Sequence, residues 1–188
     1  MKRGWGVATL SLFSCFLLLT LGPAVGGPLS ERVVFVAPSN DMPKIYICRS
    51  DGRDLKRLSK LAGPQLQPSY SPVTGRFYFV RPGEKRREQI VSVNSEGEDL
   101  LIHTEGVFSA RYPEPSPDGE RLLFSTDMWG SLELAQLELA TGGITRLTYD
   151  QATNTWPRYS PDGRQVVYLS RAHGQAELYL LTPSTGSR

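Results

Sequence analysis

The chain has 188 residues, 39% of them hydrophobic, and carries 21 Lys and Arg against 19 Asp and Glu for a formal charge of +2. Lys2 and Arg3 account for that excess, so the rest of the chain is close to neutral and offers no bulk attraction to nucleic acid or to an anionic membrane surface. Two cysteines, Cys15 and Cys48, supply no disulfide framework, so the fold rests on packing and strand pairing.

In chain order, Lys2 and Arg3 precede an apolar run at 7–21 and a small-residue stretch, Pro-Ala-Val-Gly-Gly, at 23–27. This pattern predicts a secretory signal peptide over 1–27, cut near Gly26 or Gly27, because the run is shorter than the roughly 20 residues that span a bilayer. Phe13 stands where a lipoprotein signal would place a small residue ahead of Cys15, so lipidation is not expected. No membrane insertion is expected to survive cleavage. Residues 28–188 then form one domain by size. Cys48 lies in Ile-Tyr-Ile-Cys at 45–48 and reads as a small apolar packing group.

The first unit, about 29–66, holds strand patterns at 32–36 and 44–49, an Asp-Gly turn at 51–52 and a short strand at 55–58. The second, about 67–111, opens on Pro-Ser-Tyr-Ser-Pro-Val-Thr-Gly at 68–75 and continues with strands at 77–80, 90–93 and 100–102. The third, about 112–156, opens on Pro-Glu-Pro-Ser-Pro-Asp-Gly at 113–119, and its strands follow at 122–124, 132–139 and 144–147. The fourth, about 157–188, opens on Pro-Arg-Tyr-Ser-Pro-Asp-Gly at 157–163, with strands at 166–169 and 178–181. Glycines recur at 75, 119 and 163, and a second series falls at 52, 97, 142 and 186. Two interleaved series with one period in the forties mark a repeat architecture.

With the segment leading into each motif taken as a strand, a unit has four short antiparallel strands. The fold class is therefore all-β: a β-propeller of four-stranded blades in about four units, the first and last incomplete. The first unit lacks its inner strand and the fourth its outer one. Unpaired edges at 32–36 and 177–181 follow, and with them an open or partial propeller prone to self-association. Asp118 and Gly119, like Asp162 and Gly163, are read as turn residues: Asp bonds backbone N–H groups two residues on, and Gly takes the φ > 0 position.

The repeated Pro-x-[aromatic]-Ser-Pro-Asp-Gly with its following apolar strand and turn glycine resembles the repeat of the TolB-type β-propeller family. The stretch 146–163, Arg-Leu-Thr-Tyr-Asp through Asn-Thr-Trp-Pro-Arg-Tyr-Ser-Pro-Asp-Gly, is especially similar to one of its blade junctions. The resemblance spans residue 32 to the end and includes no enzyme motif. It implies a periplasmic or secreted protein. One member is the propeller of the Tol envelope system, which binds a peptidoglycan-associated lipoprotein and carries an α/β domain ahead of six blades. Related propellers are non-catalytic domains of prolyl-peptidase-like enzymes.

Catalytic groups are sparse. His103 lies in an outer-strand pattern and His173 in a loop, and the sequence has no Gly-x-Ser-x-Gly, His-Glu-x-x-His or phosphate-loop motif. No catalysis, cofactor or metal is expected. Blade topology puts the loops between second and third strands, and the links to the next blade, on the end opposite the Ser-Pro-Asp-Gly turns. Arg81, Arg86, Arg87, Trp129, Asn154, Arg158 and Arg171 fall there and are the candidate binding residues. The expected function is binding of a protein or peptide, acidic partners first; the alternative is the propeller portion of a larger hydrolase or polysaccharide lyase.

Overall fold

A computed structural model describes residues 32–106 and 108–183. The signal-peptide reading and the Gly186 turn fall outside these residues. Fourteen strands and one 3-10 turn at Glu84–Arg86 make up the described elements. The first sheet is β1 (Arg32–Ser39), β2 (Met42–Arg49) and β3 (Lys56–Arg57). The second is β4 (Leu66–Ser71), β5 (Arg76–Pro82), β6 (Glu88–Val93) and β7 (Leu101–Ile102). The third is β8 (Ala110–Pro115), β9 (Arg121–Trp129), β10 (Ser131–Glu138) and β11 (Ile144–Arg146). The last is β12 (Asn154–Tyr159), β13 (Val166–Ser170) and β14 (Glu177–Leu181). Every pairing is antiparallel between strands consecutive in sequence, as an all-β blade requires. The sheets do not close into a ring.

Neighbouring sheets meet through β4, β8 and β12, which lie against one another in turn and so form the inner rim. The strands alternate with period two, so each sheet has a leading face toward the preceding sheet and a trailing face toward the next. Val34, Ile45 and Ile47 on the trailing face of the first sheet pack on Phe77, Phe79, Val91 and Val93 of the second. Tyr78, Val80 and Ile90 then meet Leu122, Phe124, Ala135 and Leu137, and Leu123 and Leu134 meet Val166 and Tyr168. Nearly all of these side chains are 0–3% exposed, each contributing about 1.5–3 kcal/mol by burial, so the junctions between sheets are the core.

The motif turns repeat one geometry. Gly75, Gly119 and Gly163 adopt φ of 67°, 74° and 70°, where a side chain would be strained. Asp118 Oδ1 accepts from the Glu120 N–H at 3.0 Å, and Asp162 Oδ1 from the Arg164 N–H at 3.0 Å. Burial works to raise the Asp118 carboxyl, but hydrogen bonds from Ser116, the Glu120 N–H and Arg121 outweigh it and hold it near about 2. Asp162 is likewise held below the usual range, by Ser160 first. These turns satisfy themselves locally.

Candidate binding surface

The hairpin loops β1–β2, β5–β6, β9–β10 and β13–β14 emerge at the end opposite the motif turns, together with the links between sheets. At this end the inner strands depart from regular pairing. The register skips between Leu66 and Ser69, between Arg111 and Glu114, and between Thr155 and Arg158, so each inner strand sets two residues against one. The extra pair is Gln67-Pro68, Tyr112-Pro113 and Trp156-Pro157, and a proline suits a bulge because it has no N–H to leave unpaired. Gln67, Tyr112 and Trp156 adopt φ of 53°, 56° and 55°, a conformation that costs a residue with a side chain about 1–2 kcal/mol.

These three residues connect along the inner rim. The Tyr112 N–H donates to Gln67 Oε1 at 2.8 Å, and the Tyr112 and Trp156 rings lie 5.8 Å apart. Trp156 is 44% exposed. A bulky aromatic in strained backbone that still shows nearly half its surface to solvent gains little from burial. Such outliers gather at functional sites. Lys85 and Arg86 are also left-handed, at φ of 53° and 60°, and both are exposed at the tip of the β5–β6 loop.

The candidate residues read from sequence divide into three groups. Arg81, Arg86 and Arg87 share the β5–β6 loop, and Arg87 reaches Asp127 of the next sheet at 3.4 Å. Asp127 also accepts from the Ser109 N–H at 2.7 Å, and Arg111 pairs with Glu88, so this loop is tied to the following blade. Arg171 is exposed on the β13–β14 loop, and its N–H donates to the Thr153 carbonyl at 3.2 Å.

Trp129 and Asn154 come together through a buried carboxylate. Glu133 has no exposed surface and accepts from Arg146 at 3.0 Å, the Gln151 N–H at 2.9 Å, Asn154 at 3.1 Å and Ser131 at 3.1 Å, as well as from Thr148. Burial works to raise this carboxyl, yet the donors, Thr148 foremost, hold it below its ordinary value. The Arg146 guanidinium lies 5.2 Å from the Trp129 ring and 4.7 Å from the Tyr149 ring, the distance of a cation–π contact. Trp129 is therefore half-buried. Asn154 is fully buried, and its amide is spent on Glu133, Thr148 and Asp150, so it reaches a partner only through the loop it holds.

Arg158 donates to Glu114 at 2.6 Å on the inner rim, joining the third and fourth sheets. Burial pushes the Glu114 carboxyl up to about 7, against the pull of Arg158. Their partnership is visible in the sequence as opposite charges at one motif position, one period apart. Gln67, Tyr112 and Trp156 carry a similar signal, since each directly precedes the first proline of its motif, but sequence does not reveal the sign of φ.

One pair has the look of a nucleophile and its base. Ser92 Oγ lies 2.8 Å from His103 Nε2, but Arg76 Nε donates to the same oxygen at 2.8 Å. Burial, and then the Arg76 charge, pull the His103 imidazole down to about 4. Ser92 is 0% exposed, so no substrate reaches it. Among the described residues no group of three or more His, Cys, Asp or Glu side chains is placed to hold a metal ion.

The TolB beta propeller domain pattern matches residues 24–188. The chain belongs to the TolB beta propeller domain family. TolB from Acinetobacter baumannii superposes with a TM-score of 0.71 at 27% identity, over 86% of this chain and 41% of that one. A protein assigned as TolB from Agrobacterium tumefaciens gives 0.71 at 20% identity, over 82% of this chain and 56% of that one. A puromycin-hydrolyzing peptidase of Mycobacterium tuberculosis gives 0.61 at 19% identity over 82% of this chain and 27% of that one, a likeness of fold alone. The chain thus spans about half or less of the length of the TolB structures it resembles.

Proposed function

We propose that the chain is an exported, non-catalytic TolB-type propeller that binds a protein or peptide through the loop end of its blades, in the periplasm or cell envelope. The observation that carries this reading is the row of left-handed bulge residues, Gln67, Tyr112 and Trp156, on the inner rim beside the exposed Lys85-Arg86 tip. Tyr112 and Trp156 offer rigid apolar anchors, and Arg86, Arg87 and Arg171 offer forked donors that match carboxylates. An acidic peptide or protein segment is the partner type this chemistry selects. Similarity to TolB supports the family setting; the likeness to a peptidase supports the competing reading, a propeller that gates a catalytic domain.

Titration of immobilised protein with an array of acidic and basic peptides tests the proposal. Acidic peptides should be retained preferentially, and Tyr112→Ala combined with Trp156→Ala should weaken retention by at least about tenfold, as loss of one true anchor does. Equal retention of both peptide classes, or undiminished retention by the folded variant, would remove this surface as the site.

A further inference from the structure

We infer that two copies of this chain associate head to tail, the trailing face of the last sheet in one copy seating on the leading face of the first sheet in the other. This inference is independent of the peptide-binding reading, because it concerns the flat faces of the terminal sheets rather than the loop end.

The trailing face of the last sheet carries Val167, Leu169, Leu178 and Leu180, brought together by the β13–β14 register. Val167 is 38%, Leu178 75% and Leu180 64% exposed. At the same positions of the preceding sheets stand Tyr78 and Ile90 in the second and Leu123 and Leu134 in the third, all 0–1% exposed beneath the next sheet. The open face is therefore a junction half whose counterpart is absent from the described residues.

The leading face of the first sheet is the matching half. Val33, Phe35, Tyr46 and Cys48 share it through the β1–β2 register, with the Phe35 and Tyr46 rings stacked at 6.0 Å. They are half-buried, whereas the equivalent Phe77, Phe79, Val91 and Val93 are 0% exposed under the first sheet. The junction of the first and second sheets already sets aliphatic trailing side chains on an aromatic and aliphatic leading face, so an intermolecular junction would reuse packing present in the chain. A second copy supplies both halves in one operation. A two-fold axis would form the junction twice and give a ring of eight sheets, at the upper end of the roughly 4–8 blades that propellers use.

Sedimentation analysis of the full chain tests this. The expected species has twice the single-chain mass, and Leu178→Glu with Leu180→Glu should weaken association by at least about thirtyfold while leaving circular dichroism unchanged, since both residues are exposed. Phe35→Glu with Tyr46→Glu should also give monomers. Mixing the two variants should restore a dimer, because one intact trailing face then meets one intact leading face. A wild-type chain that stays monomeric over about a hundredfold concentration range overturns the inference. So does a mixture in which the two monomeric variants fail to pair, the result that a symmetric tail-to-tail contact would give.

Discussion

The two ends of the blades solve the problem of irregular backbone in opposite ways. At the turn end, Ser116, Asp118 and Gly119, and again Ser160, Asp162 and Gly163, close the chain within one short segment, and nothing there depends on the neighbouring blade. At the loop end the donors and acceptors come from distant positions: Glu133 holds Asn154 across 21 residues, and Arg158 holds Glu114 across 44. One end is repeated because its requirements are local. The other varies because each unit supplies different side chains to the same scaffold, and only there does strained backbone carry large, exposed groups.

The largest effect should come from breaking the loop-end lock. Glu133→Ala leaves Arg146 facing an unpartnered interior and frees the 148–154 segment, and should cost about 3–5 kcal/mol, read from urea unfolding. At the turn end no single side chain should matter as much.

Acid titration separates two loop-end and rim groups that oppose each other. The folded state holds His103 near about 4 against an ordinary 6.5, so it favours the neutral ring, and stability is lost as pH falls through that window. Glu114 is held near about 7 against 4.5, so it favours the neutral acid, and stability is gained as pH falls from 7 toward 4.5. Each contribution is at most about 3 kcal/mol, and together they flatten the wild-type profile. Glu114→Gln should leave a profile that declines on acidification, whereas His103→Gln should leave one that climbs. Unchanged slopes in both variants would mean that neither group is buried as described.

Gly163→Ala is the matching test of the turn end. A methyl there meets Pro117 no closer than 3.5 Å, so only the φ of 70° penalises it, by about 1–2 kcal/mol, visible as a small drop in thermal midpoint. A much larger loss would show that the turn packs more tightly than its neighbours suggest.

This contrast also explains what the sequence reveals. The propeller is legible because turn residues announce themselves: Asp and Gly at fixed steps specify hairpins, and strands fall into the spaces between. The basic loop at 81–87 is legible by composition and position. Asn154 and Arg158 were less so, because both lie in the right segment yet are consumed by Glu133 and Glu114, partners that only the fold brings near. Trp156 was equally opaque, since nothing in Thr-Trp-Pro at 155–157 distinguishes an aromatic packed between sheets from one held outward by left-handed backbone.

The central claim is that Trp156 is kept in strained backbone for binding rather than for stability. Trp156→Gly tests it most directly, because glycine relieves the φ of 55° while deleting the anchor. The account predicts an unfolding midpoint equal to or above that of the wild type, by up to about 1 kcal/mol, together with at least about tenfold weaker retention of acidic peptides. A variant that is clearly less stable and binds acidic peptides as well as the wild type would contradict it.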